Sequence, residues 1–212
     1  MNQYFGTYQT FETTSKNEAA ALIGADNLVG DLFEIDIELE ESGHRAWLVN
    51  KFGKRVGFFN EAFSRKLSVM KARGLAMKAI LSFVAYTDHP DPGYYWGEMA
   101  VICYNTAYES AFEKFIGSTC EHMCDGVRVR VDLGDDGVAH IIESNGEWTP
   151  SQTEPMPKMD KGTAVMKSKR SVSEKMIEQG RKGNKGCYAI SWIFLFVLAA
   201  AVVFGLRSCG VF

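Results

Sequence analysis

The stretch that decides the fold is LFEIDIELEESGHRAWLVNKFGKRVGFF, which runs from Leu32 to Phe59. Its first third alternates strictly, with an apolar residue at every second position and Glu or Asp between. A period of two is typical of a half-buried strand with one polar face. RAWLVN from Arg45 and RVGFF from Arg55 predict two more strands, because the glycine-containing segments 41–44 and 51–54 supply turn chemistry. The stretch therefore predicts a β-meander.

The polar face of the first strand is entirely acidic, and it has two interpretations. One is a surface for a cation or a basic partner; the other is the ordinary solvated face of an antiparallel sheet. The residues that form the row are Glu34, Asp36, Glu38 and Glu40.

The segments on either side of this meander extend the pattern. EAFSRKLSVMKARG predicts a helix that Gly74 ends, and AMKAILSFVAY returns as a strand. SKNEAAALIG upstream and residues 106–116 downstream predict helices, and YYWGEMAVICY predicts a strand. GVRVRVDL and VAHIIE, joined by a turn at 134–137, predict a hairpin.

The C-terminal part has a different character. CYAISWIFLFVLAAAVVFGL, from Cys187 to Leu206, has no charged residue. A helix of this length spans ~30 Å, the thickness of the hydrocarbon core of a bilayer. It predicts a single-pass, tail-anchored transmembrane helix over 187–206, with a short external tail over 207–212. The residues expected in the anchor are Tyr188, Trp192, Phe194, Leu195, Phe196, Leu198, Phe204 and Leu206.

The charge is unevenly distributed along the chain. Residues 1–148 carry 13 Lys and Arg against 22 Asp and Glu, a net charge of −9, whereas residues 149–186 carry 9 against 4. The composition of 149–186 predicts a basic disordered linker. Basic residues beside a membrane segment tend to stay in the cytoplasm, so we expect the 1–148 domain on the cytoplasmic side. The juxtamembrane basic residues, which either attract anionic lipid or merely solubilise the linker, are Arg181, Lys182, Lys185 and Arg207.

These patterns together define the predicted fold class and its domains. The fold is α+β: a small, mostly antiparallel β-meander or barrel-like domain over 1–148 with two or three helices, plus one C-terminal transmembrane helix. The five cysteines fit a reducing compartment.

Residues 33–86 resemble a known family. AWLV at 46–49, Gly53, VGFF at 56–59, and a helix with Ala62 and Leu67 closed by Gly74 are similar, in this order, to the HIRAN domain. The resemblance implies a small closed β structure that binds DNA ends. The acidic-Asn-Pro-x-Asp segment usual before the second strand of that family is replaced here by residues 40–44. The basic residues expected on a nucleic-acid face are Arg45, Lys54, Arg55, Arg128 and Arg130.

Three further groups of residues are candidates for ligand or metal binding. The aromatic run at 94–96 is either a stacking platform for bases or another ligand, or ordinary strand packing. Cys120, His122 and Cys124 have the elements of a zinc site, but a structural zinc needs four ligands, so idle thiols are the simpler interpretation. His89 lies between Asp88 and Asp91 in a Pro-rich loop, where a turn role is the simpler account.

The sequence contains no phosphate-binding, dinucleotide-binding or metalloprotease motif. We therefore expect no enzyme, no cofactor, no metal and no small-molecule substrate. The predicted function is a non-catalytic binding or scaffold domain displayed at a membrane, with membrane lipid and an unidentified protein as partners. The alternative is a HIRAN-like module that binds nucleic acid.

Overall fold

The computed structural model describes residues 4–41, 43–181, 193–195 and 197–198. The chain divides into two compact units, Met1–Arg170 and Ser171–Phe212. The first unit contains every described strand, and the second contains one described helix of several turns.

The first unit is built on seven antiparallel strands. They are β1 (Tyr4–Glu12), β2 (Leu32–Glu40), β3 (Gly43–Val49), β4 (Arg55–Phe58), β5 (Leu75–Thr87), β6 (Tyr94–Asn105) and β7 (Thr163–Lys167). Their order is β2-β3-β4-β1-β6-β5-β7, and β2 also pairs with β5. The extra pairing closes the first six strands into a barrel, and β7 adds to the outside of β5.

Four helices accompany these strands. They are α1 (Lys16–Ala19), α2 (Glu61–Ala72), α3 (Glu109–Cys124) and α4 (Asp135–Glu143). The helix α2 begins where the Asn60 side chain accepts a hydrogen bond from the Phe63 amide, and the chain leaves it through Gly74 at φ +80°. Its apolar face buries Phe63 and Leu67 against the barrel.

Two apolar clusters lie on opposite faces of the long β1–β6 pair. Alternate residues of each strand point inward, and the inner cluster draws on all six barrel strands and α2, with Phe11, Phe33 and Val101 among its members. The outer cluster places Tyr4, Ile102 and Tyr104 against α3 and α4. One pair of strands thus separates two cores.

Several strand and helix predictions are confirmed, notably β2 to β6, α2 and α3. The predicted hairpin is wrong: residues 135–143 form α4, and residues 127–132 form no strand beyond one bridge from Val129 to Thr153. Val138, Ile141 and Ile142 have helical spacing, and they pack on the outer cluster. The sequence analysis did not predict β1 or β7.

The predicted fold class needs correction. Six strands close into a barrel, which is the barrel-like alternative of that prediction and not an open meander, and the described part of residues 1–148 has four α-helices instead of two or three. Residues 149–170, assigned above to a linker, lie in the first unit and contribute β7.

The membrane part of that fold class is corrected as well. Within the described ranges, no helix is both long and apolar enough to cross a bilayer. The longest described helix, α3, has 16 residues and carries Glu113, Lys114 and Glu121, whereas a crossing needs about 20 apolar residues.

The individual residues of the predicted anchor are placed as follows. Phe194, Leu195 and Leu198 are helical and exposed. Outside the described residues lie Tyr188, Trp192, Phe196, Phe204 and Leu206, together with the basic Lys182, Lys185 and Arg207.

The second unit begins with a capped helix, α5 (Val172–Arg181). The Glu174 carboxylate accepts hydrogen bonds from the Ser171 amide at 2.8 Å and the Ser171 hydroxyl at 3.0 Å. The Ser171 hydroxyl in turn accepts a hydrogen bond from the Glu174 amide at 3.3 Å, so the two residues cap the helix start reciprocally.

Candidate ligand-binding site

A cleft of about 550 Å³ opens at one end of the β1–β6 pair. Residues 10–13 of β1 and the turn after it form one wall, and Tyr94, Tyr95 and Trp96 of β6 form the other. Antiparallel pairing sets Glu12 directly opposite Trp96, so both side chains leave the sheet on the same face. The volume is in the range of pockets that hold small ligands.

The three aromatic side chains of this wall differ in how firmly they are held. Trp96 packs edge-on against Phe83 with ring centroids 5.5 Å apart, and its indole nitrogen donates to the Thr87 hydroxyl at 2.9 Å. Tyr95 packs against Tyr86 at 4.9 Å. Tyr94 is 46% exposed. The wall thus combines fixed rings with one solvent-facing ring.

The charge of the cleft is slightly negative. Among the described residues that line it, Glu12 is the only charged one. The nearby ammonium of Lys16 donates to the Tyr86 hydroxyl at 2.9 Å and the Pro92 carbonyl at 2.7 Å. The lining therefore offers an acceptor and aromatic faces, and it has no cation of its own for a phosphate.

A buried ion pair lies two register positions along the same strands, where Glu98 faces Thr10. The Glu98 carboxylate accepts a hydrogen bond from the Arg128 guanidinium at 2.5 Å, and both side chains are less than a tenth exposed. Burial raises the pKa of the Glu98 carboxyl, an effect that the Arg128 charge opposes. Arg128 also donates to the Ser82 hydroxyl and to the Glu154 carbonyl.

The same arginine lies over an aromatic ring of β1. The Arg128 guanidinium is 4.3 Å from the centroid of the Tyr8 ring, and the Tyr8 hydroxyl donates to the Val129 carbonyl at 2.6 Å. Because each of the three guanidinium nitrogens of Arg128 donates to a partner, we assign the pair to holding segment 127–132 against the barrel rather than to proton transfer.

The backbone of β1 allows this close docking. The Tyr4 hydroxyl donates to the Val131 carbonyl at 2.7 Å, and that carbonyl lies where a Cβ at position 6 would stand. Gly6 is therefore required by the approach of segment 127–132. These contacts were not predicted from the sequence. The strict alternation of valine with charged residues over 127–132 is the sequence pattern that marks the segment involved.

The basic residues predicted for a nucleic-acid face are dispersed among acidic partners. Arg45 pairs with Glu40 at 2.7 Å, and Arg55 donates to both Asp36 and Glu38. These two guanidinium groups both lie over the Trp47 ring, at 5.6 and 5.1 Å.

The other three basic residues predicted for the nucleic-acid face do not lie with Arg45 and Arg55 at the Trp47 ring. Lys54 is exposed in the β3–β4 turn, and Arg128 is buried in the ion pair. Arg130 is exposed and donates to the Gln152 side chain and the Asp132 carbonyl.

The cysteine and histidine residues considered for zinc are not brought together as a site. No group of three or more His, Cys, Asp or Glu suited to a metal occurs within the described parts of the chain. His122 lies half a turn from Cys120 and Cys124 on α3, and its ring nitrogen is 2.8 Å from the Ser118 carbonyl. Burial raises the pKa of Cys120 to about 12 and also raises the pKa of Cys124, so neither thiol is activated. His89 is exposed, 3.9 Å from Asp88.

The fold and the cleft define a closed antiparallel barrel with an aromatic-lined pocket at one end. No protein-family model, curated protein or solved structure matches this chain. The function is therefore argued from the cleft itself.

Proposed function

We propose that this chain is a non-catalytic binding domain that takes a planar ring of its ligand in the cleft between residues 10–13 and 94–96. The observation that carries the proposal is the 46% exposed Tyr94 beside a Trp96 ring held in place by Thr87. A preorganised aromatic wall stacks on a planar ring without first having to be ordered.

The polar groups of the cleft favour one kind of ring. Glu12 faces Trp96 and accepts hydrogen bonds from ring or exocyclic N–H groups. The Thr10 and Thr13 side chains are short donors or acceptors, although the Thr13 hydroxyl already donates to the Tyr95 carbonyl at 2.8 Å. A nucleobase with an amino group satisfies both requirements, since it has a flat face and N–H donors.

The test is a titration of the full chain with uncharged nucleosides, followed by ligand-observed NMR. Adenosine, cytidine and guanosine are compared with uridine, which has no amino group. We expect Tyr94→Ala to weaken binding about tenfold, because stacking on one aromatic ring contributes ~1–3 kcal/mol per base. Glu12→Gln should reduce the preference for amino-bearing bases.

The matched control is Phe52→Ala, which removes another exposed aromatic ring, 58% accessible, from the turn between β3 and β4. Unchanged nucleoside binding in Tyr94→Ala, or equal loss in Phe52→Ala, contradicts the assignment to this cleft.

A second candidate function is a HIRAN-like module that binds the end of a DNA strand. It is supported by the succession of β3, a turn through Gly53, β4, α2 and β5 within a closed barrel, together with a cleft suited to a terminal base. Against it stand the net charge of −9 over residues 1–148 and the pairing of Arg45 and Arg55 with carboxylates, since phosphates require cations.

Fluorescence anisotropy separates the two candidates. The full chain is titrated into single-stranded DNA with a free 3′ end and into the same strand with that end blocked, at low and at physiological salt. Binding that needs the free end and persists at physiological salt supports the DNA-end module. Binding that is the same with a free and a blocked end, and that is lost at physiological salt, rejects the DNA-end module. The nucleoside titration then still tests whether the cleft binds a planar ring.

A further inference from the structure

A second cleft, of about 410 Å³, lies on another part of the first unit, beside the start of α4. It is lined by Arg130, residues 132–134, 136–137, His140, Trp148 and residues 150–152. None of these residues borders the first cleft. The second cleft is therefore a separate site.

One wall of this cleft is aromatic. Trp148 is half-buried: it packs on the outer cluster and also lines the cavity. The His140 ring lies 5.2 Å from the Trp148 ring, inclined by 39°. The Trp148 backbone is held by a hydrogen bond from its amide to the Ser144 hydroxyl at 3.0 Å. The indole is thus supported on a helix and positioned by it.

The remaining lining residues include both hydrogen-bond donors and acceptors. Arg130 is tied to the opposite side by its amide, which donates to the Gln152 carbonyl at 3.0 Å, and by its guanidinium, which donates to the Gln152 side chain. The carboxylates of Asp132 and Asp136 and the hydroxyl of Ser151 are exposed beside it.

This mixture selects against ligands of either charge. An anion would lie against two carboxylates, and a cation would lie against Arg130 and the positive end of α4. A hydroxyl group both donates and accepts, so a ligand with several hydroxyls uses guanidinium, amide and carboxylate groups together. The C–H face of a sugar ring is the apolar surface that fits against an indole.

We propose that the cleft formed by Arg130, residues 132–134 and 136–137, His140, Trp148 and residues 150–152 binds a neutral pyranose unit of a carbohydrate. Trp148 stacks on the C–H face of the ring, while Asp136 and Gln152 bond its hydroxyls from the sides.

The test uses the full chain and the methyl glycosides of glucose, galactose, mannose and N-acetylglucosamine, each with its 1,4-linked disaccharide. Saturation-transfer NMR identifies the bound sugar and its contact face, and calorimetry gives its dissociation constant. We expect at least one probe to bind below about 10 mM, with saturation strongest on the protons of one C–H face. Trp148→Ala should weaken that binding at least tenfold.

Two variants keep the test decisive if Trp148→Ala does not fold. Asp136→Ala and Gln152→Ala remove exposed side chains, and each should weaken the same sugar severalfold. Phe52→Ala is the control and should leave sugar binding unchanged. The proposal is overturned if no glycoside binds, if binding survives all three cleft substitutions, or if inorganic phosphate or tetramethylammonium binds this cleft more tightly than any sugar.

Discussion

Two stretches of this chain have the same alternation of apolar and charged residues but fold in different ways. Residues 33–40 form β2, a barrel strand whose charged side chains face solvent and pair across the surface. Residues 127–132 pair with no barrel strand, and their Arg128 is buried between Tyr8 and Glu98. Val129 and Val131 are buried while Arg130 and Asp132 are exposed, so alternation predicts the apolar face of this stretch too. It does not predict that one charged residue of the polar face, Arg128, is buried.

The difference follows from what each stretch packs against. The charged face of β2 meets only the side chains of neighbouring strands and solvent, which keeps its ion pairs hydrated and weak. Segment 127–132 lies over the outside of β1, where Tyr4 and Tyr8 donate to its carbonyls. The Arg128 side chain is buried there, so it requires a buried counter-charge.

The largest expected effect comes from removing the buried arginine. Arg128→Ala leaves the Glu98 carboxylate buried without its counter-charge, so we expect a loss of about 3–5 kcal/mol in the free energy of unfolding. Urea unfolding followed by tryptophan fluorescence measures this loss. The double variant Arg128→Met with Glu98→Leu should recover most of it, because two apolar side chains need no partners. A loss below about 1 kcal/mol in Arg128→Ala would show that the pair is not buried in solution.

A smaller effect is expected from closing the gap that lets segment 127–132 approach β1. Gly6→Ala places a methyl group where the Val131 carbonyl lies, so either β1 or the segment must shift. We expect about 1–3 kcal/mol of destabilisation in the same urea experiment.

The matched control for that substitution is Gly117→Ala on α3, where a Cβ meets no atom within 4 Å. It should be neutral or stabilising by up to about 1 kcal/mol, because alanine favours a helix. If the two alanine variants behave alike, the close contact between β1 and Val131 does not exist.

A third substitution isolates one hydrogen bond of the docked segment. Tyr8→Phe keeps the ring beneath Arg128 but removes the hydroxyl that donates to the Val129 carbonyl. We expect a loss of about 1 kcal/mol, the usual net contribution of such a bond. Hydrogen exchange should quicken at amides 127–132 and remain unchanged in β2 and β3. Equal quickening in both regions would mean that the segment opens only with the whole barrel.

The sequence predicts most of the barrel because each of these strands has a recognisable local pattern of residues. In β2, β3 and β4 the period of two and the glycine turns at 43 and 53 suffice. The closure between β2 and β5 rests on Leu32 and Phe33 pairing with Ile80 and Ala79, contacts between residues far apart in the chain that periodicity does not specify.

The candidate site shows the same division. The aromatic run at 94–96 was visible as a possible platform, but its partner Glu12 belongs to β1, which the sequence analysis did not recognise as a strand. The sequence predicts a strand over VAHIIE, residues 138–143, yet Val138, Ile141 and Ile142 also fit a helix, and the structure has α4 there. Short apolar runs do not distinguish the two periods.

The smallest expected effect belongs to the exposed counterpart of Arg128. Like Arg128, Arg55 lies over an aromatic ring, that of Trp47, and it bonds two carboxylates where Arg128 bonds one. Its side chain is 41% exposed, and those of Asp36 and Glu38 are exposed to a similar degree. Solvent screens these charges, so Arg55→Ala should lower the free energy of unfolding by about 0.5 kcal/mol, and less at high salt. Run beside Arg128→Ala, it compares two arginines that each pair with a carboxylate and lie over an aromatic ring but differ in exposure. If both variants lower the free energy of unfolding by the same amount, burial of the arginine does not determine its contribution to stability. The contrast between β2 and segment 127–132 would then be wrong.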